Sequence, residues 1–98
     1  MVTYEVVLEV EAAIAGPLER YLRRMHIPEI LATGCFREIT FERASATQVR
    51  TRYVAANQVD LDRYLKEHAE HFRTDFRQQF PTGVSLSRQI WTRLEDWP

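Results

Sequence analysis

The sequence predicts an α+β fold of the ferredoxin-like kind: a βαββαβ two-layer sandwich whose four-stranded antiparallel sheet carries two helices on one face. Three observations carry that expectation. The chain opens on a stretch whose even positions are all apolar, it holds two amphipathic stretches with apolar residues three and four apart, and between these lie two alternating stretches joined by a short polar link. Two right-handed βαβ crossovers, interleaved, give that architecture. At 98 residues the chain is expected to form one domain over residues 1–98. A chain of this size buries roughly two-thirds of its unfolded surface, enough for one two-layer core.

In the first strand Val2, Tyr4, Val6, Leu8 and Val10 alternate with Thr3, Glu5, Glu9 and other residues, so one face is buried. Gly16 and Pro17 are expected to open the first helix, proline being suited to a first turn, with Leu18, Tyr21, Leu22 and Met25 facing inward. Pro28 lacks the amide that a continuing helix needs, so the helix should kink or restart there and end at Gly34. Cys35–Arg43 and Val49–Ala56 read as a hairpin. Phe41 is set opposite Thr51 and Ile39 opposite Tyr53 on the core face; Glu42 opposite Arg50 and Thr40 opposite Arg52 then fall on the other.

Asp60 is the expected N-cap of a second helix, whose face Leu61, Tyr64, Leu65, His68, Phe72 and Phe76 runs on to Phe80. The last strand sets Val84, Leu86, Ile90 and Leu94 on one side and Ser85, Ser87, Gln89, Trp91 and Arg93 on the other. No helix remains to cover the second face of the sheet. That face is expected to carry Val7, Phe36, Val54 and Trp91, which makes it the candidate interface of a homodimer closing into an α/β barrel.

Composition removes several function classes. With a net charge of -1 and a pI of about 6.3, acids and bases interspersed, no basic stripe marks a nucleic-acid partner. The outward positions of the central strands, Glu5, Val7, Glu9, Arg50, Arg52 and Val54, offer no aromatic platform for stacking bases. The single Cys35 rules out a paired-cysteine metal chaperone and an internal disulfide, and suits a reducing compartment. No apolar run approaches the ~18 residues of a membrane span, and the N-terminus runs straight into a strand, so a cytoplasmic protein without membrane anchor is expected. No glycine-rich phosphate cradle and no Gly-x-Ser-x-Gly turn occur, so no cofactor is expected and no catalytic signature is present.

The topology gathers His26, Glu29, Cys35, Asn57 and Tyr64 at one end of the domain, a set able to contact a small molecule. The competing reading is helix-end capping by His26 and Glu29 and simple burial of Cys35. His68 and His71, three apart on a helix, share a face, but the cysteines or third ligand of a zinc centre are missing, so no metal site is expected. His68 also lies on the apolar stripe, where a hydrogen-bonded core histidine is the ordinary occupant.

The stretch His26-Ile-Pro-Glu-Ile-Leu-Ala-Thr-Gly-Cys-Phe36, with Tyr64-Leu-Lys-Glu-His-Ala69 and a Phe-rich helix end, resembles the domain-of-unknown-function 4286 family. The resemblance covers nearly the whole chain. It implies a small ferredoxin-like protein related to dimeric α/β barrels, with either a small-molecule pocket or a cofactor-free monooxygenase ancestry. Residue by residue it singles out His26, Pro28, Glu29, Gly34, Cys35, Phe36, Tyr64, Glu67 and His68, of which His26, Glu29, Cys35 and His68 could act on a ligand. Two functions are therefore expected: a dimeric module binding a small organic ligand between sheet and helices, or a structural or protein-interaction module acting through its dimer surface.

Overall fold

The computed structural model describes residues 1–98. Along the chain run β1 (Val2–Val10), α1 (Ala12–Tyr21), a π-helical turn (Leu22–His26), α2 (Ile27–Leu31), β2 (Glu38–Ser45), β3 (Gln48–Ala55), α3 (Gln58–Glu67), α4 (Ala69–Gln79) and β4 (Val84–Thr92). The strands form one antiparallel sheet in the order β2-β3-β1-β4, the interleaved arrangement that two βαβ units produce. The architecture is the expected α+β two-layer sandwich.

The registers follow from alternation. Val2, Tyr4 and Leu8 of β1 are buried beneath the helices, and the hairpin pairs Phe41 with Thr51, Ile39 with Tyr53, Glu42 with Arg50 and Thr40 with Arg52. The Arg50 guanidinium meets the Glu42 carboxylate at 2.9 Å on the outer face. The expected register therefore holds, with a bulge between Arg43 and Ser45 where the strands run into their turn.

The helices depart from expectation in three ways. First, α1 starts at Ala12 and not at Pro17, which lies inside it. Ala12, Ala13 and Ala15 have the highest intrinsic helix propensity and carry the helix a full turn earlier, at the cost of the one amide that Pro17 lacks. Second, the turn Leu22–His26 is underwound, the Ile27 N–H donating to the Leu22 carbonyl five residues back. α2 restarts from this turn with Pro28 in its first turn, and Met25 faces solvent, 51% exposed. Third, the second helix is two. Its N-cap is Asn57, whose Oδ1 accepts from the Asp60 N–H at 2.9 Å, and the backbone breaks at His68 (φ −125°) between α3 and α4.

The apolar interior falls into two clusters. One gathers Tyr4, Ile30, Phe36, Tyr53, Leu61 and Tyr64 among others, and the second centres on Leu8, Leu18, Leu22, Val49 and Phe76. Phe36, expected on the outer face, belongs to the first, its ring 4.9 Å from that of Tyr64 and 5.3 Å from that of Tyr53. β2 begins only at Glu38, and the bend at Arg37 before it turns Phe36 inward. The other outward assignments keep their register: Val7 and Trp91 stand on the helix-free face with Val54, which is itself only 6% exposed. Leu94 lies beyond β4 and is exposed. No helix is long and apolar enough to cross a membrane.

Gly34 and Gly83 both adopt left-handed backbone, φ 75° and 83°, the first closing the helical segment as its composition implies. A Cβ at Gly34 would meet open space, whereas one at Gly83 would stand 2.9 Å from Ile14 Cδ1. Gly34→Ala is therefore expected to cost about 1 kcal/mol, for backbone strain alone. Gly83→Ala should cost about 2 kcal/mol or more, since steric overlap adds to strain. Urea unfolding of the two variants checks the order; equal losses would contradict it.

Candidate functional site

Between the two clusters a cavity of about 280 Å³ opens between the sheet and the helices. Its floor is the inward face of β1 and β3, where Tyr4, Val6, Leu8, Thr51 and Tyr53 alternate with the outward charges. Its roof is Leu22, His26 and Ile30 from the first helical segment, with Tyr64, Phe72 and Phe76 from α3 and α4. The mouth lies where α4 faces β4. There the lining residues are Arg73, Arg77, Leu86 and Arg88, all partly or largely exposed, because no helix lies over β4.

The π turn explains why a histidine reaches this roof. In an α-helix each four-residue step overshoots a full turn by about 40°, so Leu18, Leu22, His26 and Ile30 would drift off one face. The underwound turn takes back part of that drift. Leu18, Leu22 and Ile30 are each 1% exposed, and His26 lies on the cavity between Leu22 and Ile30.

His26 is enclosed by rings, those of Tyr21, Phe72 and Phe76 lying 5.7, 5.9 and 5.7 Å away. Its Nδ1 is buried and makes no hydrogen bond within the chain. Burial pushes the imidazole down to about 4, with Asp75 opposing the shift, so the ring is neutral at physiological pH. Burial likewise raises Tyr53 and Tyr64, so the phenols present neutral hydroxyls. Tyr4 Oη accepts a hydrogen bond from Arg73 at 3.0 Å.

Of the residues expected at a site, the cavity brings together His26 and Tyr64. Glu29 is exposed, for the phase that buries Ile30 turns its neighbour outward. Cys35 is 2% exposed within the first cluster and is not among the lining residues; its backbone N–H donates to Thr33 Oγ1 at 3.3 Å. His68 stands at the break between α3 and α4, its ring stacked on Tyr64 at 6.2 Å, outside the cavity wall. His71 pairs with Asp75 at 3.3 Å on the exposed side of α4, and no three His, Cys, Asp or Glu side chains gather as a metal site.

The cavity adds residues that sequence reasoning passed over, above all the three arginines at its mouth. Their signal was present. Arg88 occupies an inward position of β4, between Leu86 and Ile90, and Arg73 and Arg77 follow Phe72 and Phe76 at the same four-residue spacing.

The model of the Domain of unknown function (DUF4286) matches residues 1–94. The chain belongs to the DUF4286 family. Among curated proteins none matches its sequence. Several solved structures share the fold of this DUF4286 chain. A mutant of SnoaB, a cofactor-independent oxygenase from Streptomyces nogalater, superposes with a TM-score of 0.76 at 17% identity, covering 99% of this chain and 96% of that one. A dimeric ferredoxin-like protein from an uncultured marine organism gives 0.78 at 2% identity, covering 100% and 99%. An ethyl tert-butyl ether d (ethd) family protein from Bacillus halodurans gives 0.72 at 11% identity, covering 96% and 100%. Identities this low speak for the fold.

The buried imidazole links folding to pH. His26 in the unfolded chain protonates near 6.5, in the folded protein only near 4, so between these values the unfolded state binds more protons. Stability is then complete above pH 6.5 and falls as the pH drops toward 4, by on the order of 3 kcal/mol at most. His26→Gln should flatten this part of the profile. Urea midpoints measured from pH 7 to 4 check it, and an unchanged slope in the variant would contradict the assignment.

Proposed function

We propose that this DUF4286 protein binds a small, largely apolar organic molecule in the cavity between its sheet and helices. The observation that carries this reading is the cavity itself. It is walled mainly by aromatic and aliphatic side chains, with His26, Thr51 and the tyrosines Tyr4, Tyr53 and Tyr64 as the few polar residues among them, the usual composition of a small-molecule site. A module acting only through its outer surface would gain packing by closing such a space, since an unfilled cavity forfeits dispersion contacts on every wall. His26 lines the cavity and His68 does not, so the binding role is assigned to His26, Tyr64 and the walls around them. SnoaB, of similar fold, is a cofactor-independent oxygenase; for this chain the proposed activity is binding.

Homodimerisation is part of the same proposal. Val7 and Trp91 lie on a sheet face that no helix covers, where Val54 is already buried within the chain, and the solved neighbours include dimeric ferredoxin-like proteins. The Trp91 indole N–H donates to Glu5 Oε2 at 2.8 Å, which tethers the ring to the sheet while it stays 47% exposed, available as a contact.

Two measurements test these readings. The neutral aromatic probe 2-naphthamide should shift the NMR resonances of the His26 and Tyr64 rings on titration. Val6→Phe, which fills the cavity from its floor, should remove the shifts while the variant stays folded; shifts that survive Val6→Phe would place binding elsewhere. Light scattering should give twice the 11.6 kDa chain mass, and Trp91→Arg should lower it toward one chain. A wild-type monomer at micromolar concentration would rule the dimer out.

A further inference from the structure

Three arginines line the cavity from opposite layers, Arg73 and Arg77 on α4 and Arg88 on β4. None is within ion-pair distance of a carboxylate, as Arg23, Arg43, Arg50, Arg63 and Arg93 are; Arg20, Arg24, Arg37 and Arg52 are also unpaired, but only Arg73, Arg77 and Arg88 share a cavity lining. No Asp or Glu lines the cavity. The hydrogen bonds these groups make are to neutral oxygens: Arg73 donates to Tyr4 Oη at 3.0 Å and Arg77 to Thr74 Oγ1 at 3.3 Å.

We infer that the ligand is an anion, an aromatic or similarly apolar acid whose body fills the cavity and whose carboxylate or enolate is held at the mouth by Arg73, Arg77 and Arg88. This rests on the binding reading above and names the ligand class for the same cavity. Like charges brought together beside apolar walls repel one another, and an anion between them removes that repulsion. A guanidinium offers a planar fork that matches a carboxylate with two parallel bonds, and such charge-assisted bonds are about twice as strong as neutral ones. The charges of Arg73 and Arg88 both offset part of the burial that raises the Tyr64 hydroxyl. The rest of the lining is aliphatic and aromatic, with the neutral imidazole of His26 and the Thr51 hydroxyl among it. The site is thus graded from apolar and neutral inside to cationic outside, the pattern of a molecule with a buried ring system and an acidic end.

The pair 2-naphthoate and 2-naphthamide, alike in shape and unlike in charge, separates this inference from the binding reading. By calorimetry the naphthoate should bind about tenfold more tightly or better, and its advantage should shrink as salt is raised. Arg88→Gln, an exposed edge-strand change, should remove most of that advantage and leave naphthamide unaffected, and Arg77→Gln should act in the same direction. Arg24→Gln, on the exposed side of the π turn, should change neither probe. Equal affinities for the two probes, or a preference that survives both Arg88→Gln and Arg77→Gln, would overturn the anion inference with the binding reading intact. Failure of both probes to bind would overturn the two together.

Discussion

The underwound turn at Leu22–His26 decides what the helical layer shows to the sheet. Without it, the four-residue spacing of Leu18, Leu22, His26 and Ile30 would wind away from the sheet by about 120° over three steps. With it, three aliphatic side chains seal one side of the interior and a histidine takes the place among them where packing stops. The turn runs directly into α2, whose Pro28 has no amide to give, so the backbone irregularity and the proline accommodate each other. From this follow the exposure of Met25 and Glu29, the neutral imidazole and the roof of the cavity.

The two faces of the sheet solve different problems with the same alternation. On the outer face charge is matched: Arg50 lies between Glu42 and Glu5, Gln48 donates to Glu9, and Trp91 to Glu5. On the inner face the alternation brings apolar and aromatic residues under the helices, but at β4 it also brings Arg88, where a core-facing strand would ordinarily hold an aliphatic residue. Because β4 has no helix above it, Arg88 reaches solvent and the cavity at once. The edge of the sheet that packing leaves open is also the edge where cationic groups assemble.

Much of this was legible in the sequence, and the reasons differ by element. The strand registers were readable because period-two alternation and cross-strand charge pairs such as Glu42–Arg50 are local and mutually reinforcing. Phe36 was misplaced because the alternation was carried two residues past the true start of β2. The π turn left no local mark, since Leu22-Arg-Arg-Met-His26 reads as ordinary α-helix, and the break at His68 has neither proline nor glycine to announce it. His26 and Tyr64 could be singled out from topology and resemblance. The arginines could not be paired with them until α4 and β4 were seen to face each other across an opening, although an arginine in phase with Leu86 and Ile90 was a visible irregularity.

The central claim is that the space dividing the core is a ligand site and not a packing defect. A crystal structure of the protein soaked with 2-naphthoate tests it most directly. The account predicts a bicyclic ring between the Tyr4 and Tyr53 floor and the His26 roof, its carboxylate facing Arg88 and Arg73. A cavity closed by repacked side chains, or one holding only water under saturating probe, would contradict it.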